Sequence, residues 1–88
     1  MLVVEDEPEL LQFYEELFND EYRVLSASNG QEGWELALKT IPAIIISDVM
    51  MPVMNGYELT KRLKEHVATS HIQVILLTAK SGTAIESY

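Results

Sequence analysis

Ala43-Ile44-Ile45-Ile46-Ser47-Asp48 runs into Val49-Met50-Met51-Pro52-Val53-Met54-Asn55-Gly56, and the first of these stretches decides the fold. Its apolar residues stand in an unbroken row. A strand with one wet face alternates apolar and polar residues, so this one predicts a strand buried on both faces, as in a parallel sheet covered by helices. It ends on a carboxylate, and a loop punctuated by Pro52 and Asn55-Gly56 follows.

Working outward, the same grammar repeats. Met1–Val4 is a brief apolar run that stops at Glu5-Asp6-Glu7, and Pro8 suits the first turn of a helix capped by Asp6 or Glu7. Leu10, Leu11, Tyr14, Leu17 and Phe18 recur at helical spacing as far as Asn19-Asp20. Tyr22–Ala27 predicts a second strand. Ser28-Asn29-Gly30 then signals the cap of a helix carrying Trp34, Ala37, Leu38 and Ile41 on one face, stopped by Pro42. Beyond the central loop, Tyr57 to about Val67 predicts a third helix with Leu59, Leu63 and Val67 turned inward. Gln73–Thr78 is a fourth strand, and Ala79–Tyr88 reads as loop leading into the start of another helix.

Strand and helix in alternation predict an α/β domain with a parallel sheet and right-handed crossovers. The 88 residues allow one domain with a modest core. A formal charge of −8 repels phosphate backbones and anionic membranes, which argues against direct nucleic-acid binding. Cysteine is absent, so disulfides and thiolate metal sites are excluded. No apolar run is long enough for membrane insertion and no signal pattern opens the chain, so the cytoplasm is the expected compartment.

In a parallel sheet Glu5-Asp6, Asp48 and Thr78 all close strands at one edge, where such sheets bind their ligands. Carboxylates a few ångströms apart raise one another's pKa unless a cation sits among them. An incomplete set of hard oxygen ligands suits Mg2+, which keeps waters and borrows phosphate oxygens. A carboxylate beside such an ion can attack phosphorus to give an aspartyl-phosphate, with the Thr78 hydroxyl within reach of a phosphoryl oxygen. Singly, Glu5 or Asp6 is as well explained as a helix cap. The joint arrangement with Asp48 is not.

Val3-Val4-Glu5-Asp6-Glu7, then Ile46-Ser47-Asp48-Val49-Met50-Met51-Pro52-Val53-Met54-Asn55-Gly56-Tyr57-Glu58-Leu59, then Val74-Ile75-Leu76-Leu77-Thr78-Ala79 resemble the receiver domain of two-component response regulators. The resemblance runs the length of the chain with matching spacing. It implies a flavodoxin-like three-layer fold with a parallel sheet, acting in a phosphorelay by conformational change rather than by enzymatic turnover. It makes Asp48 the phosphoacceptor for a histidine kinase. It assigns Mg2+ to Glu5, Asp6, Asp48 and the backbone carbonyl of Met50, with Asp6 binding directly and Glu5 through water. Thr78 falls on the switch hydroxyl and Ala79 on the small residue that gives it access. Met50 and Lys80 fall where family members tune phosphoryl lifetime.

That family continues through a fifth strand, whose end carries a lysine, and a fifth helix. Residues 1–88 are therefore expected to be a receiver domain truncated before the fifth strand, with fifth strand and fifth helix absent. The lysine counter-charge and the aromatic partner of Thr78 are expected to be missing with them. Strand Gln73–Thr78 should then expose an apolar edge through which the chain self-associates. Residues 68–80 are similar to receivers fused behind sensor kinases, which points to a kinase in the same parent chain, although stand-alone regulators share much of that stretch.

Two other functions compete. A Mg2+-dependent phosphatase or phosphotransferase of another α/β family also uses an aspartyl-phosphate, but commonly wants an acid two residues after the nucleophile, where this chain has Met50. An interaction domain with an idle pocket is the third reading. His66 and His71 read as surface residues, Trp34 as core, and Glu9, Glu15 and Glu16 as a solvated face. Met50, Met51 and Met54 read either as local packing or as an adaptable partner surface.

Overall fold

Each apolar run that precedes a polar stop becomes a strand. A computed structural model of the chain describes residues 1–78 and 84–88. In chain order the elements are β1 (Leu2–Val4), α1 (Pro8–Phe18), β2 (Leu25–Ala27), α2 (Gly30–Thr40), β3 (Ile44–Asp48), α3 (Gly56–Glu65), β4 (Gln73–Thr78) and β5 (Ala84–Ser87). The caps lie where the sequence signals them. Asn29 and Asn55 accept the Glu32 and Glu58 N–H groups at 2.8 Å, and Glu7 caps α1 ahead of Pro8. These oxygens satisfy amides that the first helical turn leaves without partners.

The sheet order is β2-β1-β3-β4-β5. β1, β2, β3 and β4 pair in parallel, with Val4 opposite Ser47 and Asp48 opposite Leu77. The order reverses between β1 and β3. Right-handed crossovers in opposite directions from that point carry α1 to one face of the sheet and α2 to the other. On the second face Leu2, Val4, Ile45, Val74 and Leu76 meet Ala37, Leu59 and Leu63 in the main core. Val3 and Ile46 alternate with these along their strands and are buried outside that cluster. α1 buries no residue completely, and Leu10, Phe13 and Leu17 of this helix are exposed.

The expectation of a sheet lacking its fifth strand is overturned. Ala84–Ser87 forms β5, pairing antiparallel with β4 from Ile75↔Ser87 to Thr78↔Ala84. The same segment was expected to begin a helix, and it is a strand. The edge of β4 explains both outcomes. An apolar strand with unpaired N–H and C=O groups is a template for any segment that can return to it. Residues 79–83 are too few for a parallel crossover, so the return is antiparallel. Val74 and Tyr88 exchange both backbone hydrogen bonds, at 2.9 and 2.7 Å. Side chains add a polar clasp: the Tyr57 hydroxyl donates to Glu86 Oε1, the Tyr88 hydroxyl donates to Glu86 Oε2 at 3.1 Å, and Gln73 Nε2 donates to the Tyr88 carbonyl at 3.1 Å. The open β4 edge on which self-association was expected is thus occupied. Three helices are present among the described residues.

Smaller departures have local causes. β2 starts at Leu25, not Tyr22, because the Tyr22 N–H bonds the Phe18 carbonyl at 2.9 Å and extends the end of α1. α3 stops at Glu65, and His66 is extended, which swings Val67 outward to 88 % exposure. Thr69 and Ile72 fill the space instead. Thr69 is fully buried and its hydroxyl donates to the Leu63 carbonyl at 2.7 Å.

Candidate functional site

The strand register builds the site. Val4 lies opposite Ser47, so Glu5 and Asp48 each follow one residue beyond a paired position at the carboxyl edge. Glu5, Asp6 and Asp48 each offer a carboxylate oxygen, and these atoms all lie within 4.8 Å of one another. Glu5 is buried, Asp48 half-buried and Asp6 exposed, so the cluster opens to water on one side. The Glu5 N–H is held by the Ala27 carbonyl at 3.0 Å, which ties this corner to β2.

Glu5 is the strained member. It is only 2 % exposed, and its Oε2 accepts the Glu7 N–H at 3.1 Å. Burial pushes its carboxyl up to about 7, against the single opposing pull of that Glu7 bond. A hydrogen bond with Asp6 and the charges of Asp48 and Asp6 raise it further. Near neutrality a proton therefore sits among three carboxyl groups. A small divalent cation would replace that proton. The donor set is all oxygen and incomplete, and its open side lets water finish a coordination shell, which fits Mg2+. Tyr14, read from sequence only as one of the residues at helical spacing, also feels this field. Burial first, then the charges of Glu5 and Asp48, pushes its phenol up.

The loop after Asp48 is held from two sides by glycines. A Cβ on Gly56 would lie 2.4 Å from the Asp48 carbonyl oxygen, and one on Gly30 would lie 2.3 Å from that of Met54. Only residues without side chains permit these approaches. The Gly56 N–H closes the loop on the Val49 carbonyl at 2.9 Å. Met51 and Met54 are buried under it, whereas Met50 points out, so the methionines divide between packing and surface. The Met50 N–H reaches Asp48 Oδ1 at 3.4 Å. Val53 takes φ 73°, a left-handed conformation that a β-branched residue adopts only under constraint.

Thr78 ends β4 beside the pair Asp48↔Leu77, on the same edge as the carboxylates. Ala79 and Lys80, expected to govern access and phosphoryl lifetime, lie outside the described residues. β5 is antiparallel, so its first residue, Ala84, lies at the carboxyl edge, and Ala-Ile-Glu-Ser contains no lysine. His66 caps the C-terminus of α3 with its ring against Trp34, at a centroid distance of 5.6 Å, and takes no part in the site. Sequence reading missed the packing roles of Gly30 and Gly56 and the strain at Val53. The Asn29-Gly30 and Asn55-Gly56 pairs were visible only as cap and turn signals. Nothing local marks Val53.

A β2-β1-β3-β4 parallel core with a cation-competent acidic cluster beside its switch point defines a flavodoxin-like α/β domain with a ligand site at the strand ends. Residues 1–87 match the family model of the response regulator receiver domain, and the chain belongs to that family. It is 46 % identical over 82 residues to histidine kinase P4 of Formosa agariphila, covering 93 % of this chain and 6 % of that protein. Among solved structures, the N-terminal domain of a response regulator receiver protein from Methanoculleus marisnigri superposes with a TM-score of 0.85 at 36 % identity, covering 90 % of this chain and 65 % of the other. Response regulator TrrA of Thermotoga maritima, solved in complex with Mg2+-BeF, gives 0.81 at 31 % identity, covering 91 % and 69 %. The chain spans between 5 % and 40 % of the length of the first four curated relatives. No described helix is long and apolar enough to cross a membrane.

Proposed function

We propose that the chain is the phosphoacceptor module of a two-component phosphorelay, with Asp48 receiving a phosphoryl group from a histidine kinase. The observation that carries this reading is the convergence of Glu5, Asp6 and Asp48, with ligand oxygens within 4.8 Å, at the carboxyl edge of a receiver fold. An Asp48 carboxylate oxygen attacks phosphorus and a new O–P bond forms. The P–N bond of the phosphohistidine breaks, its electron pair stays on the imidazole nitrogen, and that nitrogen takes a proton from solvent.

Glu5, Asp6 and Asp48, with the Met50 carbonyl, would hold Mg2+, which supplies charge neutralisation for the incoming phosphoryl oxygens. The chain's own residues do the rest. Glu5 fixes the inner wall of the site through its bond with the Glu7 N–H. Gly56 lets the N-terminus of α3 press on the Asp48 backbone and hold the acceptor in place. Thr78 ends β4, and its hydroxyl would serve as the partner of a phosphoryl oxygen. Likeness to histidine kinase P4 supports a kinase as donor, within the parent chain or separate from it. Hydrolytic turnover is disfavoured because position 50, where a general acid would stand, holds an exposed methionine.

The test is incubation with Mg2+ and acetyl phosphate, read by intact mass and by mapping of the adduct. A single Mg2+-dependent phosphoryl adduct on Asp48, absent in Asp48→Asn, is expected. Labelling that survives in Asp48→Asn, or sustained turnover of a phosphate ester, would refute the reading.

A further inference from the structure

One face of the sheet is covered over only part of its width. α1 packs on β1 and β2, while α3 packs on β4 from the opposite side. The α1 side of β4 and β5 carries Ile75, Leu77 and Ile85, because Leu77 pairs directly with Ile85 and successive side chains alternate. Ile75 and Leu77 are half-buried and Ile85 is 67 % exposed. From β1 to β5 the sheet spans three strand spacings, about 14 Å. A helix about 10 Å across, seated on β1 and β2, leaves a trough roughly one helix wide above β4 and β5. Along α1, Leu10, Phe13 and Leu17 recur at helical spacing and are 37 %, 55 % and 57 % exposed. Glu15 and Asn19 face the hollow beside Val24, just ahead of β2, and so mark the outer flank of this helix. Leu10, Phe13 and Leu17 stand nearly opposite Glu15 around the helix, on the flank that borders the trough.

We infer that this face docks a second copy of the chain across a two-fold axis, the α1 ridge of each copy seated in the β4–β5 trough of the other. An isologous interface needs a surface that matches itself, and an adjoining ridge and trough of similar width provide one. The area is sufficient. Leu10, Phe13, Leu17 and Ile85 expose roughly 350–400 Å2 of apolar surface between them, and Ile75 and Leu77 add about 100 Å2. A standard interface covers about 800 Å2 per partner, somewhat more than half of it apolar. None of the six residues is charged and α1 carries no basic residue, which disfavours an anionic bilayer or a nucleic acid as the occupant. The β4 edge stays paired with β5 throughout, so the contact is face to face and leaves the strand order unchanged. The inference does not rest on the role of Asp48.

The test is sedimentation of the chain from micromolar to submillimolar concentration, at low and at high salt. A monomer–dimer equilibrium is expected, and it should tighten as salt rises, because salt screens the repulsion between two copies of charge −8. Phe13→Lys and Ile85→Lys, both at exposed positions, should each weaken dimerisation roughly tenfold or more. A lysine lowers the net negative charge, so the weakening must come from the lost apolar contact. Val67→Lys, at an exposed position beyond the end of α3, should leave the equilibrium unchanged. Thermal unfolding checks that each variant is folded. A chain that is monomeric at the highest concentration overturns the inference. So does a dimer indifferent to Phe13→Lys and Ile85→Lys, one that Val67→Lys weakens equally, or one that loosens as salt rises.

Discussion

Replacing Glu5 with glutamine removes a carboxyl group that the fold holds far from its ordinary range, and the consequence for stability can be worked through. Glu5 titrates near 4.5 in the unfolded chain and near 7 in the folded one, chiefly because it is buried. Between those values the folded state binds the extra proton, so stability falls as pH rises. The contribution is intact below 4.5 and gone above about 7. Between about pH 5 and pH 7.5 the loss amounts to at most about 2 kcal/mol. Glutamine is isosteric and its carbonyl oxygen can still accept the Glu7 N–H. The assay is urea unfolding in the presence of EDTA at several pH values, for both proteins. Titrating groups remote from Glu5 are common to the two and cancel in the difference. The wild type should lose about 2 kcal/mol more than Glu5→Gln across the window, and saturating Mg2+ should abolish that excess in the wild type alone. Parallel pH profiles in EDTA would refute the account of Glu5 as a buried, proton-holding acid.

Other perturbations test the frame around the site. Gly56→Ala forces a methyl group toward the Asp48 carbonyl and the Leu76 side chain, 2.4 and 3.0 Å from the Cβ position. A loss of about 1–3 kcal/mol is expected in thermal unfolding, with slower labelling by acetyl phosphate. Asn55→Ala removes the 2.8 Å cap on the Glu58 N–H and should cost about 1 kcal/mol in urea, with an unchanged denaturant slope. Leu63→Ala empties a fully buried core position and should cost about 2–5 kcal/mol by the same measurement. Deleting residues 84–88 removes the acceptor of the Val74 N–H, so hydrogen exchange at that amide should accelerate strongly.

What could be read from sequence follows from where local signals and tertiary context agree. The Ala43–Ile46 run could only be a doubly buried strand, and its closing carboxylate then fell beside Glu5-Asp6 by parallel register alone. Helix starts were legible because Asn29 and Asn55 cap through their own side chains. Helix ends were less so: Val67 continues the apolar spacing of Leu59 and Leu63, yet one extended residue, His66, turns it to solvent. β5 was misread because its pairing depends on the open edge of β4, a long-range condition that leaves no periodicity in Ala-Ile-Glu-Ser. Val53 was hidden for a similar reason. Its left-handed backbone belongs to the closed loop, and valine itself argues against that conformation.

These particulars have one physical direction. Three side chains or backbones held at a cost — buried Glu5, left-handed Val53 and the crowded Asp48 carbonyl — lie at the same edge of the sheet, and Ile41, at φ 42° on the C-cap of α2, is the other left-handed residue with a side chain among the described residues. The face that packs against α2 and α3 is closed: Gly56 already touches Asp48, Gly30 already touches Met54, and both neighbours are helix N-termini that cannot retreat without opening the core. Close-packed interiors transmit such displacements rather than absorb them. Bulk added at Asp48 therefore meets no slack on the side of α2 and α3; on the other side lies the end of β4. There Thr78 pairs only with the short terminal strand β5.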